Sequence, residues 1–192
     1  MWIDLSTLWK RVMVKRTITF RIDEQVLNQI ESISRSKITT LNKFIEEILI
    51  NFIEWHAYAS SAGFFPLPKP FLLKMITKFP YDEIQKSFQE IKKEDIDDII
   101  IMLRLELNTN SCMNCFESWL KSSNFKFRHN VLGDTHNYVI QHNMGDDDGS
   151  RFLGLCYSTF LQNGGLKNIT NSPTTNMLNI QFEHKDKNVV TR

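Results

Sequence analysis

Residues 17–22, Thr-Ile-Thr-Phe-Arg-Ile, decide the fold of the N-terminal part of this 192-residue chain. Polar and apolar side chains alternate with a period of two, which predicts a β-strand with one apolar face. The apolar face consists of Ile18, Phe20 and Ile22, and the other face of Thr17, Thr19 and Arg21. No second strand follows within reach, so the backbone N–H and C=O groups of this strand need a partner from another chain.

The natural partner is the same strand of a second copy, related by a two-fold axis. Two such antiparallel strands form a ribbon that fits the major groove of DNA. There the guanidinium of Arg21 could bond guanine bidentately, a contact worth roughly 1–3 kcal/mol of discrimination, and the hydroxyls of Thr17 and Thr19 would face base edges. Lys15 and Arg16 precede the strand and suit phosphate contacts. An ordinary solvated strand face is the alternative, because Thr and Arg are common on exposed strands.

Two amphipathic helices are predicted after the strand. Asp23 is a good N-cap for the first, and Thr40 for the second, with Thr39 as a competitor. Residues 35–39 break the helical pattern and predict a turn. The second helix has a broad apolar face, made of Leu41, Phe44, Ile45, Ile48, Leu49, Phe52 and Ile53. A unit of roughly 40 residues is too small to cover that face alone, so we expect folding and dimerisation to be one event.

Residues 15–55 resemble the ribbon-helix-helix DNA-binding domain of Arc-, MetJ- and CopG-type repressors. The resemblance rests on the string from Arg16 to Asp23, the helix that starts near Glu24 and the turn into residues 39–42. It implies that Thr17, Thr19 and Arg21 read bases, and that the helix start at Thr40, Leu41 and Asn42 places backbone N–H groups against a phosphate. Helix N-termini do favour anions. Ile38 departs from the pattern, since the family usually has glycine in this turn.

The rest of the chain predicts an α+β fold. Helices are predicted at residues 69–79, 81–93 and 95–108, and another ends near Ser122. A β-β-α-β order follows, with strands at 125–130 and 137–142 around Gly133-Asp134, a helix at 150–162 and a strand at 177–182. The expected domains are an N-terminal arm (1–14), the ribbon-helix-helix domain (15–58), a linker (59–70), an α+β C-terminal domain (71–184) and a tail (185–192). Met13 is an alternative start of translation.

The turn His142-Asn-Met-Gly145, followed by Ser150 and a helix, resembles the C-terminal region of archaeal ribbon-helix-helix proteins, which has no assigned function. Gly145 permits a sharp turn. Asp146, Asp147 and Asp148 favour the positive end of the following helix, and a helix-capping loop is preferred over a cation site because EF-hand ligand spacing is missing.

Four residues are candidate metal ligands: Cys112, Cys115, His129 and His142. Cys112 and Cys115 form Cys-x-x-Cys, but no second Cys or His pair follows at zinc-site spacing. A thioredoxin-like site expects the pair after a strand, whereas helices precede this one. Reduced, buried thiols are therefore the preferred interpretation, and no cofactor or metal is predicted.

Charge is distributed unevenly along the chain. The formal net charge is only +1, but eight basic residues stand against three acidic ones between Lys10 and Lys43. In a dimer this excess doubles on one surface, which would support salt-dependent binding to phosphates. The chain lacks an apolar run of membrane-spanning length and a signal-peptide core, so we expect a cytoplasmic, nucleoid-associated protein.

Enzymatic activity is not predicted, because the sequence contains no nucleophile elbow, phosphate-binding glycine loop or HExxH helix. The preferred hypothesis is a homodimeric transcription regulator, a repressor that binds double-stranded DNA and whose second domain senses an unidentified effector or builds a higher oligomer. An antitoxin-like protein, whose C-terminal region binds a partner protein, is the alternative. A metal-responsive repressor is a special case of the first hypothesis.

Overall fold

The computed structural model describes residues 16–19, 21–103 and 105–185. The predicted N-terminal arm, the alternative start at Met13, Lys15, Phe20 and residues 186–192 of the predicted tail lie outside these ranges. The chain divides into two compact units, with the boundary between Ala57 and Tyr58.

The first unit contains two helices that begin at the predicted caps. Helix α1 (Glu24–Ser36) starts after Asp23, whose carboxylate accepts hydrogen bonds from the N–H groups of Gln25 and Val26. Helix α2 (Leu41–Asn51) starts after Thr40, and the chain remains helical through a π-helical stretch (Phe52–His56) and a last α-turn (Ala57–Ala59).

The predicted strand at residues 17–22 is not formed at the positions of this segment that the structure describes, 17–19, 21 and 22. Residues 16–19 and 21–23 have no regular secondary structure and are exposed, with Ile18 at 78%. In the part of the chain that the structure describes, no β-ladder involves this segment. A strand of this sequence would leave one edge of backbone N–H and C=O groups without a partner among the described residues of a single copy.

The second unit is α+β, as the sequence predicts. Four helices come first: α3 (Lys69–Ile76), α4 (Tyr81–Gln89), α5 (Lys93–Met102) and α6 (Thr109–Ser122). The helix predicted at 95–108 both begins and ends earlier than expected. Its start is set by Asp95, whose carboxylate accepts from the N–H of Lys92 in a capping arrangement.

Four antiparallel strands form the sheet: β1 (Lys126–Leu132), β2 (Thr135–Gln141), β3 (Lys167–Pro173) and β4 (Met177–Glu183). Their spatial order is β1-β2-β4-β3. Strands β1 and β2 form a hairpin in which Leu132 pairs with Thr135, so Gly133 and Asp134 make a two-residue turn. Gly133 has φ 61°, a conformation that glycine adopts at little cost in such turns.

The sheet has one strand more than the predicted β-β-α-β order. Strand β3 was missed because its sequence, Lys-Asn-Ile-Thr-Asn-Ser-Pro, contains almost no apolar residues and no alternation. It lies at the edge of the sheet, where most of its side chains are exposed, so burial imposes no pattern on it. Proline at its end is compatible with an edge position.

Helix α7 (Asp147–Asn163) connects β2 to β3 and packs on the sheet. It begins earlier than predicted because Asp146 caps it, accepting from the N–H of Gly149 at 2.7 Å. The buried core lies between α6, α7 and one face of the sheet, and Phe116 forms edge-to-face pairs with Tyr138 and Tyr157 at 5.2 Å between ring centroids. Its fully buried members include Phe116, Leu120, Tyr138, Ile140, Leu161, Leu178, Ile180 and Phe182.

Candidate DNA-binding surface

The predicted base-reading residues, Thr17, Thr19 and Arg21, are exposed to solvent, and so is Arg16, a predicted phosphate contact. Within the described residues the Arg21 guanidinium has no ion-pair or hydrogen-bond partner. Lys15, the remaining predicted contact on this segment, lies outside the described ranges. The described part of the segment thus presents backbone groups and side-chain donors that have no partner among the described residues.

The start of α2 has the geometry of an anion-favouring helix N-terminus. Thr40 has extended backbone angles, and its hydroxyl accepts from the N–H of Lys43 at 3.3 Å. Among the described residues, the backbone N–H groups of Leu41 and Asn42 have no acceptor. They are two of the donors that a helix leaves unsatisfied in its first turn. An acidic residue in this turn would compete with an anion, and there is none.

Two of the nearby basic residues are engaged within the unit. Arg35 pairs with Glu31 at 2.8 Å across one turn of α1. The ammonium of Lys37 lies 5.1 Å from the ring centroid of Phe44, a cation–π distance. The ion pair between Arg35 and Glu31 is largely exposed to solvent and contributes little stability.

Both helices of the first unit leave large apolar side chains in water. These exposed side chains are Val26 and Ile33 on α1, and Ile48, Leu49, Phe52 and Ile53 on α2 and its π-helical continuation. Only Phe44, Trp55 and Ser34 are buried among the described residues of this unit. We call the six exposed residues the apolar face of the first unit. Exposed apolar area of this kind marks an interaction surface.

The cysteine pair is buried inside α6. Cys112 and Cys115 are almost completely inaccessible. Burial, with a smaller contribution from Asp97, raises the pKa of the Cys112 thiol to about 12, and burial also raises the pKa of Cys115. A Cβ on Gly164 would overlap the sulfur of Cys112, so this thiol fills close-packed space beside the end of α7. These are properties of packed thiols rather than of reactive ones.

His129 belongs to a polar cluster on the covered face of the sheet. Its Nε2 lies 2.9 Å from Nδ1 of His136, and its Nδ1 lies 3.2 Å from a carboxylate oxygen of Glu117. The Tyr138 hydroxyl donates to the same oxygen at 2.7 Å. Burial and then Glu117 raise the pKa of Tyr138. Sequence reasoning did not single out Glu117 or Tyr138, because only the packing of α6 on the hairpin brings them to His129.

His142 is hydrogen-bonded on both ring nitrogens. The N–H of Met144 donates to Nδ1 at 3.3 Å, so the proton of the neutral ring is on Nε2, which lies 2.9 Å from the hydroxyl of Ser150. That hydroxyl donates in turn to the carbonyl oxygen of Thr174. The imidazole therefore donates to Ser150 and does not activate it as a base would. The chain of bonds joins the end of β2, the start of α7 and the β3–β4 turn.

The four candidate metal ligands are not brought together. Within residues 16–19, 21–103 and 105–185, no group of three or more His, Cys, Asp or Glu side chains is placed to hold a metal ion. Cys112 and Cys115 are buried side chains of α6. His129 instead contacts Glu117, and His142 is hydrogen-bonded to Ser150.

Comparison with known proteins adds no family assignment. Neither the family models nor the curated proteins contain a match to this chain. In the described ranges, no helix combines the length and the apolar character that crossing a bilayer requires.

Proposed function

We propose that this protein is a sequence-specific DNA-binding transcription regulator, a repressor that acts as a homodimer and inserts an antiparallel β-ribbon into the major groove. One observation carries the proposal. A segment with alternating polar and apolar residues, which is exposed at 16–19 and 21–23 and has no strand partner among the described residues, directly precedes two capped helices that expose apolar side chains. Pairing of two copies would satisfy the backbone of the segment and bury the apolar face of the first unit together.

In this arrangement the polar side of each strand faces the base edges. Arg21 would recognise guanine, and Thr17 and Thr19 would contact neighbouring bases. Lys15 and Arg16 would contact phosphates. The open N–H groups of Leu41 and Asn42 would hold a further phosphate and so set the depth of the ribbon in the groove. A cytoplasmic location at the nucleoid would follow from this role.

The second unit favours a regulator over an antitoxin-like protein. Antitoxin-like tails that bind a partner are usually short and unstructured, whereas residues from Tyr58 onward have their own buried core and a four-stranded sheet. A packed α+β unit suits sensing of an effector or assembly of dimers into a higher oligomer.

The test is the affinity for a DNA site selected from a random pool. Arg21→Ala should weaken binding to the selected site by about 1–3 kcal/mol, because a bidentate guanine contact is lost, and should leave binding to unrelated DNA nearly unchanged. Fluorescence anisotropy with labelled duplexes at fixed salt measures both affinities. The matched control is Arg128→Ala, which removes the same charge from an exposed position on β1.

Circular dichroism should show that both variants keep the parent's helix content. If Arg21→Ala binds the selected site as tightly as the parent, the base-reading role is refuted. If the parent enriches no sequence and binds no duplex at low salt, the proposed function itself fails.

A further inference from the structure

The second unit contains an apolar pocket of about 340 Å³ between helices α4, α5, α6 and α7. Ligand pockets in proteins have volumes of about 300–1,000 Å³, so this one is at the small end of that range. Its walls include Phe64, Phe88, Ile99, Trp119 and Phe160. All of these belong to the second unit, so the pocket is complete within it.

The aromatic wall is held in place by contacts that do not need a ligand. The Trp119 ring packs edge-to-face against Phe64, Tyr157 and Phe160, at centroid distances of 5.5, 4.9 and 5.7 Å. On the other side, the Asn163 side chain donates to the carbonyl of Ile91 at 2.8 Å and so ties the α4–α5 connection to α7. A pocket with fixed walls loses little conformational entropy when a ligand binds.

The polar groups of the pocket limit what it can accept. The Asp95 carboxylate is bonded to the N–H of Lys92 and is exposed to water at the start of α5. Cys156 also borders the pocket, and burial raises the pKa of its thiol, which keeps it neutral. Among the described residues, the hydroxyl of Thr159 has no hydrogen-bond partner. Among the described residues, those that line the pocket include no basic side chain.

We infer that this pocket binds a small uncharged aromatic molecule, of up to about three rings, with one hydrogen-bonding group directed at Thr159. Aromatic side chains around the cavity suit a flat ring, because contacts between aromatic rings add to the burial of apolar area. An anion would lose its hydration and would meet no positive charge among the described lining residues. Such a molecule would be the effector that the second unit senses. Only this regulatory role rests on the proposed function; binding to the pocket does not.

The experiment compares two fluorescent probes that share one ring system. N-phenyl-1-naphthylamine is neutral and has one N–H, and 8-anilino-1-naphthalenesulfonate has an added sulfonate. The neutral probe should bind the full-length protein saturably with one site per chain, and about tenfold or more tighter than the sulfonate, a difference of about 1.4 kcal/mol. The titrations contain no DNA, so they measure probe binding separately from DNA binding. Absence of probe binding would leave the proposed DNA binding intact, and absence of DNA binding would leave the pocket intact.

Thr159→Phe should fill the pocket and lower the affinity of the neutral probe by about tenfold or more. Thr170→Phe is the matched control, because Thr170 lies exposed on the edge strand β3 and outside the pocket. Since Thr159→Phe could disturb folding, the parent's melting temperature is a second measurement, and saturating neutral probe should raise it.

Three results would overturn the inference. The first is no saturable binding of the neutral probe to the parent. The second is equal affinity of the probe for parent and for a folded Thr159→Phe variant. The third is a change of oligomeric state in Thr159→Phe with no probe binding to the parent, which would mean that a second copy covers the pocket.

Discussion

His142 illustrates how a single residue in this chain can look catalytic and serve the fold instead. It precedes a glycine turn and lies beside a buried serine, two features of hydrolytic sites. The hydrogen bond from the N–H of Met144 places the ring proton on the nitrogen that faces Ser150. His142 therefore donates to the Ser150 hydroxyl, whereas a general base would accept the proton of a nucleophilic serine. Its effect is to connect three chain segments at one end of the sheet.

The stability of the protein should depend on the protonation of His142. Burial, and then the positive charge of Lys69, lower its pKa in the folded state. The unfolded chain therefore binds more protons than the folded chain just below the ordinary histidine pKa of about 6.5. We expect the free energy of unfolding to fall as the pH drops below that value, and to stop falling below the lowered pKa.

Urea unfolding at about pH 7.5 and about pH 5.5 measures this loss, and His142→Gln serves as the comparison because its amide can still donate to Ser150. The parent should lose more stability over this range than His142→Gln, since the other four histidines are common to both. Equal losses in the two proteins would show that His142 does not cause the dependence.

At the scale of elements, the turn between α1 and α2 contains a local conflict. The helix ends with bonds from the N–H of Lys37 to the carbonyl of Ile33 and from the N–H of Thr39 to that of Ser34. These two hydrogen bonds require a residue with left-handed backbone angles between Lys37 and Thr39. Ile38 is that residue, with φ 54° and a side chain that is 95% exposed. Glycine is the usual residue there, because a Cβ is strained in this conformation.

Ile38→Gly should therefore stabilise the protein by about 0.5–1 kcal/mol. Relief of the left-handed strain exceeds the entropy that glycine adds to the unfolded chain, and an exposed side chain loses no burial. Chemical denaturation at one fixed protein concentration measures the change. Ile38→Ala is the control, since it removes the same exposed side chain but keeps the Cβ. A gain as large in Ile38→Ala as in Ile38→Gly would contradict the explanation by strain.

At the scale of the whole molecule, the apolar face of the first unit should hold two copies together. Leu49 on α2 and Ile101 on α5 are equally exposed in a single chain, at 52%. Leu49→Asp should convert a dimer into a monomer, because a carboxylate would be buried without a partner. Ile101→Asp should leave the dimer intact. Sedimentation at micromolar concentration separates the two outcomes.

The melting temperature of the parent should also rise with protein concentration, as mass action requires of a dimer that folds on association. A parent that is monomeric when dilute and still fully helical would contradict the proposed assembly. A dimer that survives Leu49→Asp but dissociates in Ile101→Asp would place the interface on the second unit instead.

The sequence predicted those helix starts and turns that are determined by residues close together in the chain. Asp23 and Thr40 predicted the starts of α1 and α2, because a cap acts on the next three N–H groups. Gly133-Asp134 predicted the hairpin turn. Strand β3 was not predicted, because it forms by backbone pairing with β4 and most of its own side chains are exposed to solvent.

The amino-acid sequence alone was sufficient for the order of the helices and of strands β1, β2 and β4, for the two capped helices after an alternating segment and for the positive charge near the N-terminus, since propensity, capping and charge act over short distances. Tertiary packing decided which side chains meet. It buried the cysteines, turned His142 toward Ser150 and gathered Phe64, Phe88, Trp119 and Thr159 around one pocket. These residues are far apart in the chain, and only the burial of a shared core fixes the distances between them.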